Sequence, residues 1–329
     1  MRFEDLTLFN PERDREAWNE QAASHLVKLC LEHPDTPTSV LNAMYEQRMD
    51  EARAKLVTHP NAPARVFEEN PYESMREDPL GYAQGWNEDR SCNPNFPQRL
   101  MNEQVDALTD LLDGGYSFDS GLIMPLVKNP FVPESFVMKA KNFFCDQSLY
   151  RAQKWASAPR LPRSYMDEMV DKFCNLYSKG VFITDAMRSI VHGIASNHNL
   201  SEMNARHLAR CSDHAVLSYL SRNPATPGSI LSSMARPSRW VNLSSLSNPS
   251  TPFLPVSIAY RKASRARTCK AHTILASIKH PEMDETIVAS RIEEDDYLYP
   301  AYSILPHHKL SDEVWSKIQE FFEKDMIGV

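Results

Sequence analysis

The densest chemistry in this sequence is cationic. Residues 203–281 carry eleven basic side chains against a single acid, Asp213. That segment is +10 in a chain whose total is −7, so the remainder carries −17. Segregation of this kind makes a surface that attracts anions, whether phosphate backbones, acidic protein segments or acidic lipid surfaces. Arginine outnumbers lysine eight to three in the segment, which favours bidentate recognition of phosphate or carboxylate over simple solubility. The candidate binding residues are Arg236, Arg239, Trp240, Arg261, Lys262, Arg265, Arg267 and Lys270. Arg261 and Arg265 lie four apart and share a face if the segment is helical, and Trp240 offers a stacking surface beside Arg239. The bland alternative is that repeated helices spread these charges over several faces and pair some with neighbouring acids.

Other constellations carry less. His207, Cys211 and His214 stand at i, i+4 and i+7, one face of an unbroken helix. One helix does not bring three such ligands to one tetrahedral ion, so no metal is assigned. His307-His308 is a weak ligand pair. His33, His59 and His280 each precede a proline, where capping or local hydrogen bonding is the expected use. No GxSxG, HExxH or Walker motif occurs, and the glycine-bearing turn from Gly114 to Gly121 lacks a phosphate-loop lysine. Glu68-Glu69 and Glu293-Glu294-Asp295-Asp296 read as solvated faces. Asp213, the lone acid of the basic segment, is only a weak catalytic candidate for repair-type chemistry on nucleic acid. No cofactor is expected.

The elements that must position these residues announce themselves through proline. The chain has 23 prolines and 9 glycines in 329 residues, the inverse of usual usage. Glycine-rich turns and phosphate loops are thereby disfavoured. The prolines recur in a pentad, clearest in Asn223-Pro-Ala-Thr-Pro227 and Asn248-Pro-Ser-Thr-Pro252. Anchors at 33, 59, 93, 129, 158, 197, 223, 248, 280 and 307 make ten copies. The first proline stops one helix and biases the residue before it to extended backbone. The second is expected at the first helical position, with Thr36, Thr226 and Thr251 as N-caps. Where that proline is missing, Ser201, Asp284 and Ser311 take its place and are expected to cap.

Apolar residues recur after the anchors at offsets of seven, eight and eleven: Ile230, Leu231 and Met234; Val40, Leu41 and Met44; Val314, Trp315 and Ile318; after His280 they are Ile287 and Val288, with Arg291 at the third offset and Ile292 following. This is one helical stripe. A second apolar group precedes each anchor, as in Leu29 and Leu31, Leu126 and Val127, or Leu243 and Leu246. Each unit is therefore two short helices that bury their faces only by stacking on neighbours. The segment from Asn223 to Asn248 resembles the leucine-rich repeat variant, whose units run Asn-Pro-x-Thr-Pro into a Leu-rich helix, and the longer copies are similar to HEAT-like helical pairs. The resemblance implies stacked helices in a curved superhelix and an interaction role by analogy. No cysteine-rich cluster precedes the repeats, so no redox cofactor is carried over.

The expected architecture is a single all-α superhelical solenoid of about ten short helical-pair repeats over residues 1–329. Residues 1–28 form an N-terminal cap, 71–92 a loop insertion, 203–281 the basic repeats and 307–329 a C-terminal cap. Within the insertion Tyr72, Tyr82 and Trp86 are candidate contact aromatics, and residues 170–194 read as an extra helical pair broken near Gly180. Six scattered cysteines without a CxxC and an N-terminus without an apolar leader point to a reduced, cytoplasmic protein with no membrane role. The expected function is a non-enzymatic macromolecule-binding scaffold whose partner is a protein. The alternative is a nucleic-acid-binding module working through 203–281, with repair-type activity.

Overall fold

The computed structural model describes residues 21–46, 56–57, 59–63, 65–68, 91–114, 120–211, 213–235, 242–264, 271–284, 287–288 and 305–324. The described residues form α-helices and no strand. Contacts divide the chain into two compact units, one made of Met1–Asn70 with Tyr260–Val329 and the other of Pro71–Ala259. Helices α1 (Gln21–Glu32), α2 (Thr38–Glu46) and α3 (Arg65–Glu68) open the first unit. The second holds α4 (Gln98–Asp113), α5 (Ser120–Lys128), α6 (Glu134–Lys139), α7 (Lys141–Gln147), α8 (Leu149–Ala156), α9 (Arg163–Ser178) and α10 (Asp185–Ala195). It continues with α11 (Glu202–Arg210), α12 (His214–Arg222), α13 (Gly228–Met234) and α14 (Asn242–Ser247). Helix α15 (Phe253–Ser264) spans the division, and α16 (Ala271–Ile278), a 3-10 turn (Leu305–His307) and α17 (Asp312–Lys324) complete the first unit.

The proline pentad is a turn repeated with one geometry. In nine copies the anchor carbonyl accepts the N–H three residues on, at 2.9–3.3 Å, from Thr36 on His33 through Thr226 on Asn223 to Met283 on His280. A helix then begins, but not as expected at its first residues. Pro97, Pro133, Pro162 and Pro227 are themselves the N-caps, with extended ψ of 125–136° and no side-chain cap bond. The threonines do not cap. The hydroxyls of Thr36, Thr226 and Thr251 instead donate to the carbonyls of Cys30, Leu220 and Ser245, at 2.7, 2.7 and 2.5 Å. Each thereby ties the turn to a carbonyl in the last turn of the preceding helix, where no further intrahelical turn follows. Where the second proline is absent, Ser201, Asp284 and Ser311 do cap, accepting the N–H of Asn204, Ile287 and Val314 at 3.2–3.4 Å.

The anchor side chains join one turn to the turn before it. Asn223 Nδ2 donates to the carbonyls of Ala195 and Asn197 at 2.9 and 2.8 Å, and Asn248 Nδ2 to those of Ser221 and Asn223 at 3.0 Å each. Asn197 reaches Ala156 and Ala158, and Asn129 reaches Ser91 and Asn93, in the same way. Each Asn Oδ1 meanwhile accepts the N–H two residues on, such as Ala225 on Asn223 at 2.9 Å. Histidine does the same with a ring. Nδ1 of His33, His59 and His280 accepts the N–H of Asp35, Asn61 and Glu282. Nε2 is then the protonated nitrogen, and that of His59 donates to the His33 carbonyl at 2.9 Å. A second rail runs beside the first, with Asn61 Nδ2 on Pro34 and Thr36 and Ser250 Oγ on Pro224.

At the last copy the register differs from the sequence expectation. His307 is exposed in the 3-10 turn, and the buried His308 takes the anchor role, its Nε2 donating to the Ile278 carbonyl at 2.7 Å. The carbonyl of His308 in turn accepts from His33 Nε2 at 2.7 Å across 275 residues. In the first unit the order of anchors is therefore 280, 308, 33, 59, with the chain's last turn feeding its first. Helix α17 packs on α2 to match, and α1 lies against the 3-10 turn. Trp315 of α17 meets the His33 ring edge-on, centroids 5.1 Å apart.

In the second unit the first helices of successive pairs stack in one row, α9 on α11 on α13, and the second helices in another, α8 on α10 on α12 on α14. The apolar offsets line the space between the rows. Ile230, Leu231 and Met234 are buried there, as are Val40, Leu41, Met44, Val314, Trp315 and Ile318 in the first unit. Leu243 departs from the pattern, being 36% exposed. Gly193 marks the closest crossing: a Cβ on it would run into Gln153 O and stand 2.6 Å from Ala156 Cβ, so α10 packs directly on the backbone of α8. Residues 170–194 are not an extra pair. Helices α9 and α10 are the only two between Ala158 and Asn197, and the long spacing comes from a 16-residue α9. The break at Gly180 is a left-handed glycine (φ 63°) closing a Schellman turn, with Val181 N–H on Leu176 O. Residues 71–90 of the 71–92 insertion, with Tyr72, Tyr82 and Trp86, lie outside the described residues, as does most of the Gly114–Gly121 turn.

Candidate functional site

Among the described basic residues, those of α11 come together on one face. Turn capping by Ser201 starts this helix and burial of Ala205 and Leu208 fixes which side faces inward. Glu202, Met203, Arg206, His207 and Arg210 then line an open concavity of about 460 Å³. Met203 is 52% exposed at its edge. Arg206 is held by Glu202 one turn back, Nε–Oε1 3.0 Å, and His207 Nδ1 lies 3.3 Å from Asp171 Oδ1. No described acid lies within ion-pair distance of Arg210. The face is thus a shallow polar concavity in which Glu202 pairs with Arg206 and Asp171 faces His207, Arg210 lies at its end, and Met203 is its one apolar side chain.

The inward edge of α11 meets α9 through three side-chain pairs. Asn204 Nδ2 donates to Asp167 Oδ1 at 2.7 Å, His207 faces Asp171, and Cys211 Sγ lies 2.9 Å from Cys174 Sγ. The residues step as 167, 171, 174 on one helix and 204, 207, 211 on the other, the spacing of two parallel helices in register. Burial pushes the Cys174 thiol up, and the contact with Cys211 and the charge of Asp171 add to that. On the other side of the unit, His192 stacks on Tyr219 with centroids 5.1 Å apart, and burial lowers its pKa.

The sequence candidates fall out as follows. Arg261 and Lys262 are exposed in the last turn of α15. Arg236, Arg239, Trp240, Arg265, Arg267 and Lys270 lie outside the described residues. His207, Cys211 and His214 do not share a helix: α11 ends at Arg210, Cys211 is its C-cap, and His214 opens α12. Among the described residues no group of three His, Cys, Asp or Glu is arranged to hold a metal ion. Asp213 is the N-cap of α12, accepting the N–H of Ala215 and Val216, and its Oδ2 lies 3.4 Å from Arg188. Its carboxylate therefore has a structural role, starting α12 and pairing with Arg188. The Cys174–Cys211 approach was missed in the sequence because 37 residues separate the two and no spacing rule links them.

No described helix is long and apolar enough to cross a membrane. No family model, curated protein or solved structure matches this chain.

Proposed function

We propose that the protein is an α-solenoid of about ten short helical pairs, akin to the leucine-rich repeat variant, that serves in the cytoplasm as a non-enzymatic scaffold for an acidic protein partner. The observation that carries the reading is the anchor ladder. Within each unit buried Asn and His side chains couple turns to their predecessors, so the exposed helix faces of that unit form a rigid surface that loses little entropy on binding. In the second unit α11 presents Arg206 and Arg210, with Glu202 and His207, around an open concavity with Met203 at its rim, a small apolar anchor beside two arginines. Arg222, Arg261 and Lys262 are exposed as well, and the net charge of 203–281 steers acidic surfaces toward them.

Affinity capture with the tagged chain, in nuclease-treated and untreated lysates, tests this. A partner that survives nuclease and is lost on Arg206→Glu plus Arg210→Glu supports the scaffold. The second reading, nucleic-acid binding, is favoured by the arginine excess. It requires DNA or RNA affinity that falls steeply with salt and disappears in Arg261→Glu plus Arg265→Glu. Absence of any nucleic-acid binding at low salt removes it, and absence of any captured protein removes the first.

A further inference from the structure

We propose that Cys174 and Cys211 are an oxidisable pair, at which a low-molecular-weight disulfide converts two thiols into an intramolecular disulfide that staples α9 to α11. The two sulfurs stand 2.9 Å apart in the reduced protein, about 0.9 Å beyond the roughly 2.05 Å of the bond. They are held there by register. The Asp167–Asn204 bond and the Asp171–His207 contact join the two helices on the preceding turns, and the third step of the same seam brings sulfur to sulfur.

Both cysteines are half-buried rather than sealed, whereas Cys30 is fully buried and its thiol is pushed up by that burial. Cys211, the C-cap of α11, is the entry point. Its thiolate attacks one sulfur of the oxidant RSSR, forming a mixed disulfide and releasing one RS⁻. The Cys174 thiolate then attacks the Cys211 sulfur, the Cys211–SR bond breaks, and the second RS⁻ leaves. Two protons and two electrons pass from the protein to RSSR, giving one protein disulfide and two RSH. Each step consumes a thiolate, so the staple forms faster as pH rises from about 7 to 9. The closed disulfide lies directly after Arg210 and fixes the end of the helix that lines the concavity.

The test uses the reduced full-length chain, oxidised glutathione as the probe, iodoacetamide trapping and peptide mapping by mass spectrometry. The expected product is a Cys174–Cys211 linked peptide with two of the six thiols lost, reversed by dithiothreitol. The Tm of the oxidised protein is raised by roughly 5 °C. Cys174→Ser is expected to strand Cys211 as the glutathione mixed disulfide, and Cys211→Ser to leave Cys174 fully alkylatable. The proposal is overturned if wild-type Cys174 and Cys211 both remain alkylatable, if Cys211 stays a mixed disulfide while Cys174 is present, or if the link forms only between two chains.

Discussion

At the residue scale, one position does two jobs with either of two chemistries. An anchor must accept the N–H two residues on and donate to a carbonyl of the preceding turn, and both groups are buried, so neither bond can be left to water. Asparagine meets this with Oδ1 and Nδ2, and histidine with Nδ1 and Nε2–H. Asn223→Asp removes the donor and sets a carboxylate oxygen against the Ala195 and Asn197 carbonyls. It is expected to cost roughly 3 kcal/mol in urea unfolding, whereas Asn223→His retains most of the stability. A stability for the aspartate variant equal to wild type would show that the ladder bonds carry no weight. His59 adds a pH term. Burial lowers its pKa beneath the ordinary 6.5, against the raising effect of its bond to His33. A base depressed in the folded state contributes stability that is complete above pH 6.5 and is lost as pH falls from there through the folded value. His59→Asn is therefore expected to flatten stability against pH in that acidic window, read from urea midpoints; an unchanged slope refutes the assignment.

At the element scale, helix starts and stops were legible because their causes lie within five residues. Proline after the anchor and proline or a capping side chain before the helix act through local backbone, and the apolar offsets act through the 3.6-residue period. What was not legible is which of two neighbours a hydroxyl chooses. Thr226 was one residue from a capping position, yet Pro227 occupies the cap, and the free hydroxyl turns back to Leu220. The exposure of Leu243 and the identity of the last anchor, His308 rather than His307, likewise depend on how each short helix is rotated against its neighbours. Gly193 is the clearest element-scale case. Nothing in its surroundings in sequence asks for glycine, but α8 crosses so closely that a methyl group meets Gln153 O and Ala156. Gly193→Ala is expected to destabilise the second unit by roughly 2–3 kcal/mol, despite its higher helix propensity. A gain in stability, as propensity alone demands, would refute the close crossing.

At the scale of the whole molecule, the two chain ends build one unit. His33 depends on a carbonyl supplied 275 residues later, and α2 depends on α17. Removing residues 305–329 is expected to strip hydrogen-exchange protection from α1 and α2, at the opposite end of the sequence, while α9 to α12 keep theirs. Loss confined to residues near the cut would contradict the joint. Anchor chemistry also follows the division: His33, His59, His280 and His308 belong to the unit made by the chain ends, and Asn93, Asn129, Asn197, Asn223 and Asn248 to the other. The sequence by itself determined the helical class, the turn that recurs along the chain and most of the residues that face inward, since each follows from interactions a few residues long. Only the tertiary structure decided that an anchor bonds the turn before it, that the last turn precedes the first, and that two cysteines 37 residues apart sit sulfur to sulfur. Those contacts depend on the distance and rotation between packed helices. Helix geometry within one segment carries no record of either.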